Sequence, residues 1–430
     1  MKPRRLAPFV LLEVSSVFEA IAGGMTYIIV PWLILDLTGS PLIAGLVTAS
    51  KGVIAFVIFP LAGTFVDRIG RRRVAITSDI LAAVTAMAFP LVTAAFGPSV
   101  GVAIVVTVLG AMFEPPGFTA RKSLVANTAE ASNMTLERAN GIHESIRGLG
   151  LIGGPAVGAL ALAAIGPQNA YWVVGIGFTL SFLAISFVRI THVVGGESDV
   201  DVPLQSFFRD TIDGIKALVR DRALLVLITF WVVLDMVYLP SEEIVLPVYF
   251  EGKGDPLGLG IIVSAMLLGV VVGSLFFEFL ARRWSLPVII RVSVLTCCTV
   301  MLTMALFPPV WLFAIIGFAM GLSWGPMNPV LSLLIQRRFP ASIQGRVFGV
   351  QLAIFSAAPA IALPFVGALV EAFGAQPVYF VLVVSTFVLA LAVVFLPVLN
   401  DFGRSSTVPM KVRPMKVKPM KVKTSKAEPR

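Results

Sequence analysis

Long apolar stretches separated by polar turns repeat along the sequence as far as residue 400. A helix needs about 20 apolar residues to cross the hydrocarbon core of a bilayer, and twelve stretches offer a run of that kind. The pattern therefore predicts an all-α integral membrane protein with twelve transmembrane helices. The predicted spans are residues 7–36, 41–66, 74–95, 99–121, 141–165, 170–190, 223–249, 257–281, 286–306, 310–335, 346–370 and 377–399.

The composition excludes an ordinary soluble protein. Of the 430 residues, 57% are hydrophobic and 13% are charged, whereas about 25% of the residues of a soluble domain are charged. The first apolar stretch is too long for the core of a signal peptide and has no small-residue cleavage site, so we expect it to be retained as a span. Cys297 and Cys298 are adjacent within an apolar stretch and predict neither a disulfide framework nor a metal site.

Basic residues are concentrated in every second turn. The N-terminus, the turns after spans 2, 4, 6, 8 and 10 and the C-terminal tail hold nearly all of the 33 Lys and Arg residues. The opposite turns hold only Lys253, while Lys51 and Arg147 fall inside spans. Basic residues beside a span are retained in the cytoplasm, so both termini are predicted to be cytoplasmic. The net charge of +9 arises from turns and tail, and we expect no nucleic-acid binding.

The two halves of the sequence repeat each other. Arg138-Ala-Asn-Gly141 opens predicted span 5, and Arg346-Val-Phe-Gly349 opens predicted span 11, 208 residues later. Such a repeat predicts two parallel six-helix bundles. The predicted domains are an N-terminal bundle (1–190), a cytoplasmic linker (191–222), a C-terminal bundle (223–400) and a basic tail (401–430).

The linker and the tail have distinct patterns. Apolar residues recur at helical spacing in the linker, which predicts an amphipathic helix; it either lies on the membrane surface or simply joins the bundles. The tail repeats Pro-Met-Lys-Val-Arg/Lys, and its regularly spaced prolines predict a disordered segment. It either follows an anionic membrane surface or is solvated without a role.

The turn between spans 2 and 3 reads Gly63-Thr-Phe-Val-Asp-Arg-Ile-Gly-Arg-Arg-Arg73. A basic cytoplasmic turn accounts for the arginines but not for the glycines and the aspartate at fixed offsets. The pattern G-x-x-x-D-R-x-G-R-R resembles the signature loop of the major facilitator superfamily of secondary transporters. The resemblance implies the major facilitator fold. The implied gating residues are Gly63, Asp67, Arg68, Gly70, Arg71 and Arg72. We expect Asp67 to meet the start of span 11 near residues 344–346 when the halves close at the cytoplasmic side.

Span 5 contains Gly154-Pro-Ala-Val-Gly158. Small residues allow close helix packing, which is one explanation of the run. Its residues Gly154, Pro155 and Gly158 also resemble the antiporter motif of drug-exporting members of the superfamily. Tyr238-Leu-Pro-Ser-Glu-Glu-Ile-Val-Leu-Pro247 and Gly325-Pro-Met-Asn-Pro329 resemble the macrolide-efflux and Tap-type multidrug branch.

That resemblance covers about residues 1–400 and implies proton-driven export of varied antibiotics across a bacterial cytoplasmic membrane. The implied energy source is the proton gradient, with no cofactor. Many drug/proton antiporters carry an Arg within span 4, whereas Arg121 stands at the end of the predicted span. We therefore offer Arg147 for that role.

Charged residues within spans are the strongest candidates for proton coupling, because each is costly unless paired or hydrated. Glu144 and Arg147 are three residues apart and are predicted to pair on one face of span 5. Separation of the pair would favour a protonated Glu144, which predicts a coupling site. A permanent, purely structural pair is the alternative. Glu19 is the second candidate and has Lys51 as its possible partner.

In the superfamily, spans 1, 4, 7 and 10 line the substrate cavity. The corresponding candidates combine aromatic, Met and acidic side chains, which suit dissimilar lipophilic ligands that carry positive charge. They are Tyr27, Phe113, Glu114, Trp231, Asp235, Tyr238, Glu242, Trp324, Met327 and Asn328. Lipophilic cations or zwitterions are the expected substrates. The alternative is that most of these aromatic side chains face lipid or neighbouring helices.

Two other functions remain open from the sequence. One is a major facilitator transporter of a single metabolite, lipid or siderophore. The other is an integral-membrane enzyme, which is disfavoured because the chain has two His residues and lacks G-x-x-x-x-G-K, H-E-x-x-H and a nucleophile-elbow serine. We expect a monomer that contacts membrane lipids and holds no metal.

Overall fold

The computed structural model describes residues 6–188, 215–216, 218–339, 341–395, 397 and 399–400. Every regular element among them is a helix. The elements are α1 (Ala7–Thr38), α2 (Pro41–Ile69), α3 (Arg71–Phe96), α4 (Val100–Ala131), α5 (Leu136–Ser186), α6 (Arg222–Pro240), a π-helical turn (Ser241–Val245), α7 (Leu246–Glu251), α8 (Pro256–Arg283), α9 (Leu286–Met304), α10 (Val310–Trp324), α11 (Met327–Arg338), α12 (Ala341–Phe373) and α13 (Ala375–Val394).

The predicted twelve spans are confirmed by these helices. Ten helical segments of the described chain are long and apolar enough to cross a membrane, and 375–391 is a shorter apolar helix. One of the ten segments holds two spans, because α5 reverses direction at Gly166, where φ is +78° and ψ is 167°. A glycine adopts this conformation without the steric cost of a side chain. The fold is therefore an all-α bundle of twelve transmembrane helices in two halves of six.

Two spans of the second half are interrupted by prolines. Pro240 and Pro247 flank a π-helical turn at Ser241–Val245, so span 7 consists of α6, this turn and α7. In span 10 the helix breaks between α10 and α11, where Pro329 provides no N–H for the Gly325 carbonyl. The Ser274 hydroxyl of α8 donates to that carbonyl instead, at 2.9 Å. The breaks place irregular backbone inside the protein, where neighbours satisfy it.

The two ends of the bundle differ in how the halves meet. We call the end with the turns after α2, α4, α8 and α11 the basic side, and the other end the opposite side. Near the opposite side, one buried hydrophobic cluster contains residues of both halves. Near the basic side there are two clusters, one within the second half and one within the first. The halves are thus closed together at the opposite side.

Close helix packing and hydrogen bonds hold this closure. A Cβ atom on Gly45 of α2 would lie 2.6 Å from the Leu363 carbonyl oxygen of α12, so the two backbones are nearly in contact. The Glu371 carboxylate at the end of α12 accepts hydrogen bonds from the Ser40 hydroxyl and, at 3.2 Å, from the Leu42 backbone N–H. It therefore caps the first turn of α2 from the other half. The Ser264 hydroxyl of α8 donates to the Ile152 carbonyl of α5 at 3.0 Å.

Much of the predicted linker (191–222) and the whole predicted tail (401–430) lie outside the described residues. Their predicted conformations remain predictions.

Candidate functional site

A cavity of about 300 Å³ lies between the two halves. Side chains of α1, α2, α4 and α5 from the first half and of span 7 and α12 from the second half line it. Small-molecule sites have volumes of about 300–1,000 Å³, so the cavity is at the lower end of that range. Its position between the halves makes it the candidate site.

Five carboxyl-bearing or basic side chains line this cavity. They are Glu19, Lys51, Glu114, Arg147 and Glu243. Three carboxylates and two bases at membrane depth are unfavourable unless they are hydrated, paired or used for binding. The cavity therefore carries both signs of charge, with the bases supplied by α2 and α5.

Glu19 is the buried member of this set. It is 5% exposed, and its Oε2 atom has no hydrogen-bond partner in the described part of the chain. Lys51 donates to the Thr26 hydroxyl at 3.3 Å rather than forming an ion pair with Glu19. A buried carboxyl oxygen without a partner, beside a cavity, is available for a proton or a ligand.

The predicted ion pair between Glu144 and Arg147 is wrong. The Glu144 side chain is 54% exposed and pairs with Lys122 of α4 at 3.2 Å. The Arg147 guanidinium lies over the Phe118 ring, 4.1 Å from its centroid, and lines the cavity. Residues three apart on a helix project in directions about 60° apart. Glu144 therefore reaches Lys122 of α4, whereas Arg147 reaches Phe118 of the same helix.

The position predicted for Arg121 also needs correction. Helix α4 continues ten residues beyond Arg121, to Ala131, so this side chain lies within the bundle and not at its end. Arg121 and Asp79 of α3 are each 2% exposed and form an ion pair. Asp79 is not among the residues predicted from the sequence, although a lone acidic residue within the apolar stretch 74–95 is a recognisable signal.

Two serines complete the surroundings of this pair. Arg121 donates to the hydroxyls of Ser15 on α1, at 3.2 Å, and of Ser181 on α5, at 2.8 Å. Ser181 in turn donates to the Asp79 carboxylate at 2.8 Å. The network joins α1, α3, α4 and α5 in the basic-side half of the first bundle.

An aromatic cluster of the second half adjoins the cavity. Trp231 and Trp324 pack edge to face with ring centroids 5.7 Å apart, and Tyr238 stacks on Trp324 at 5.6 Å. Trp231 also contacts Phe355 of α12 at 6.3 Å, and Phe355 lines the cavity. Trp231, Tyr238 and Trp324 are not among the cavity-lining side chains, contrary to prediction, and Trp231 is only 2% exposed. These rings therefore support Phe355, which is the member of the cluster that lines the cavity.

Some of the other predicted cavity residues line the cavity, and others do not. Tyr27 and Glu114 line the cavity, and their predicted contact with substrate remains a prediction. Met327 is only 1% exposed and belongs to a hydrophobic core cluster, so its predicted place in the cavity lining is wrong. Phe113, Asp235, Glu242 and Asn328 are not among the cavity-lining side chains.

The antiporter-like run of α5 is a packing surface for α1. A Cβ atom on Gly154 would lie 2.5 Å from the Cα atom of Gly24, and one on Gly158 would lie 3.2 Å from the Met25 backbone. Close packing thus explains the small residues of this run. Pro155 takes part as well, since its ring lies 3.3 Å from where a Cβ atom on Gly24 would be. An additional role in antiport remains a prediction.

The predicted gating loop is only partly described. Gly70 makes the turn between α2 and α3 with φ at +99°. Arg71 donates to the Ser123 carbonyl at 3.2 Å and to the Asn127 side chain at 2.6 Å. Arg72 donates to the Ser186 carbonyl at the end of α5.

These two arginines therefore brace helix ends of the first half. Arg68 is exposed. The side chain of Asp67 and the surroundings of Gly63 lie outside the described contacts, as does the predicted meeting of Asp67 with residues 344–346.

Twelve helices in two halves around a central cavity define a helical membrane transporter fold. The family model described as Major Facilitator Superfamily matches residues 12–254 and 243–424. The chain belongs to the major facilitator superfamily, and it is a transporter rather than an enzyme.

Drug efflux proteins are among its relatives. The chain is 30% identical over 409 residues to multidrug efflux pump Tap of Mycolicibacterium fortuitum, covering 94% of this chain and 100% of that protein. It is 30% identical over 404 residues to multidrug efflux pump Tap of Mycobacterium tuberculosis (strain ATCC 25618 / H37Rv), covering 93% and 96%. It is 22% identical over 405 residues to macrolide efflux protein A of Streptococcus pyogenes, covering 91% and 96%.

Solved structures agree with the fold. The nucleoside transporter NupG matches with a TM-score of 0.71 at 15% identity, covering 90% of this chain and 98% of that one. A POT family transporter in complex with 5-aminolevulinic acid matches with a TM-score of 0.66 at 12% identity, covering 90% and 95%. At these identities the likeness concerns the fold alone.

Proposed function

We propose that this protein exports structurally varied drugs from the bacterial cytoplasm in exchange for protons, by alternating access of a central cavity. The observation that carries the proposal is the charged and partly aromatic cavity between two halves that are closed at one side only. The names of its relatives, multidrug efflux pump Tap and macrolide efflux protein A, support drugs as the substrate class.

The basic side is the cytoplasmic side in this proposal. The turns on that side and the two terminal segments hold most of the Lys and Arg residues, and such residues are retained in the cytoplasm. Both termini are then cytoplasmic, and the opposite side, which is closed, faces outward. With this orientation, a conformation closed at the opposite side is the inward-facing state, in which drug enters the cavity from the cytoplasm.

The charges of the cavity refine the expected substrates. Glu114 attracts a positively charged group, whereas Lys51 and Arg147 attract a negative or strongly polar one. The expectation of lipophilic cations or zwitterions rested on cavity candidates from spans 1, 4, 7 and 10, none of which is a basic residue. With bases supplied from α2 and α5, zwitterions fit better than simple cations.

Proton coupling is assigned to Glu19 rather than to Glu144. A coupling carboxyl must lose water in one state and regain it in another. Glu19 is buried beside the cavity and has a free oxygen, whereas Glu144 is largely exposed and paired with Lys122. The proton gradient is the proposed energy source.

Drug accumulation in a host that lacks its own efflux pumps tests this function. Cells that produce the protein should accumulate less of several unrelated drugs, and a protonophore should abolish the difference. The Lys51→Met variant serves as a comparison. Its export of zwitterionic drugs should fall more than its export of cationic drugs. Reduced accumulation of one compound only would instead support a single-substrate transporter.

A further inference from the structure

Glu242 lies where the two halves close on the outer side. It belongs to the π-helical turn of span 7 and is 2% exposed. Its Oε2 atom accepts a 2.7 Å hydrogen bond from the Tyr27 hydroxyl of α1, in the other half. Its Oε1 atom has no hydrogen-bond partner among the described residues. Closure of the halves therefore removes this carboxyl from water.

The surroundings of Glu242 contain hydroxyl groups and other carboxyls. Tyr238 of α6 and Tyr379 of α13 are close enough to interact with it electrostatically. Asp235 and Glu243 belong to the same span and are its acidic neighbours. Lys51 of α2 interacts with Glu243, but in the described part of the chain no basic side chain forms an ion pair with Glu242.

The two protonation states of Glu242 thus have different consequences for closure. An ionised carboxylate would be buried without a basic partner and next to like charges, which is unfavourable. A protonated carboxyl still accepts the Tyr27 hydrogen bond and carries no charge. When the halves separate, the carboxylate regains water and the ionised form is no longer penalised.

We propose that Glu242 is a proton-binding site that controls the outer closure, so that the halves close on the protonated form and separate when it is ionised. Glu242 takes up a proton from the outer solution while that side is open. Closure carries the proton inward. The proton leaves through the cavity, which Tyr27 and Glu243 both line. Its part in drug export rests on the proposed function, but the link between protonation and closure does not.

The π-helical turn places Glu242 in this position. The turn follows Pro240 and adds one residue to the helical repeat, which rotates the following side chains relative to α6. Glu242 consequently faces α1, while Glu243 faces the cavity. The two consecutive carboxyls thus lie in different surroundings, one at the contact with α1 and the other at the cavity.

Distances between spin labels on the purified protein without drug test the proposal. Cys297 and Cys298 are first replaced by serine. Labels at Asn169 and Lys253 then report the outer side, and labels at Asn133 and Ser285 report the cytoplasmic side. These four positions are exposed. We expect the ratio of outer-open to outer-closed molecules to rise with pH, by at most about tenfold per pH unit for one proton.

Substitutions of Glu242 test whether this residue causes the pH response. E242Q should remain closed on the outer side from about pH 5 to about pH 9, because the amide mimics the protonated carboxyl. D235N, the matched control on the same span, should keep the pH response. If E242Q responds to pH as the unsubstituted protein does, the proposal is wrong.

Two further variants keep the test informative. Y27F should weaken outer closure at every pH while leaving the pH response in place, and a Y27F protein without a pH response would contradict the proposal. If E242Q does not fold, E242D should shift the midpoint of the response, and an unshifted midpoint would overturn the proposal. No drug is present in this experiment. The spin-label result would therefore stand even if the protein exported no drug, and a negative spin-label result would not argue against drug export.

Discussion

Removing Asp79 should destabilise the protein strongly, because it leaves the Arg121 charge buried without its partner. Both side chains are 2% exposed, and Arg121 also donates to Ser15 and Ser181. Loss of one partner of a buried ion pair costs about 3–5 kcal/mol, which is a large share of a typical folding free energy of about 5–15 kcal/mol. We therefore expect D79A to lower the free energy of unfolding by about 3–5 kcal/mol.

A double-substitution cycle separates this effect from a simple loss of packing. Replacing Arg121 by methionine in the D79A protein removes the unpaired charge and fills much of the same volume. The D79A/R121M protein should then be more stable than D79A by about 1–3 kcal/mol. Unfolding in increasing denaturant is measured for the unsubstituted protein, both single variants and the double variant. If D79A and R121M add without coupling, or if the double variant is the least stable, the reasoning about the buried pair is refuted.

Other predictions concern coupling and closure. Glu19→Gln should abolish pH-driven export. Glu144→Gln should change export little, because an exposed ion pair contributes about 0–1 kcal/mol. Uptake into inside-out vesicles measures both variants, and the reverse order of effects would restore Glu144 as the coupling site. Glu371→Gln should weaken the cap on α2, because the amide oxygen carries no charge for the first turn of the helix, and should raise the outer-open population; equal outer spin-label distances in both proteins would contradict this. Truncation after Asn400 should leave export by correctly inserted protein unchanged, and loss of export would give the tail a role.

The sequence predicts the membrane architecture well because span length and apolarity are local properties. The twelve spans and the two-bundle fold follow from apolar runs and from the repeat of Arg138-Ala-Asn-Gly141 at Arg346. The interruption of span 7 is less visible. Pro240 and Pro247 indicate that the helix is disturbed, but not that a π-helical turn directs Glu242 toward Tyr27.

The pairing of charged side chains depends on how neighbouring helices are rotated, which spacing along one helix does not determine. Glu144 and Arg147 have suitable spacing, yet α4 provides Lys122 for one and Phe118 for the other. Glu13 shows the same dependence. It lies near the start of its span, where a carboxylate commonly reaches water, yet it is 5% exposed and lies 3.2 Å from the Nδ1 atom of His143.

The most direct test of the central claim is drug-dependent proton movement in liposomes that contain only this protein. With a pH-sensitive dye inside, addition of a zwitterionic drug should produce a proton flux opposite to drug movement, and an imposed pH gradient should concentrate the drug against its own gradient. Glu19→Gln should eliminate both. Drug movement that equilibrates across the membrane without proton flux would contradict the account.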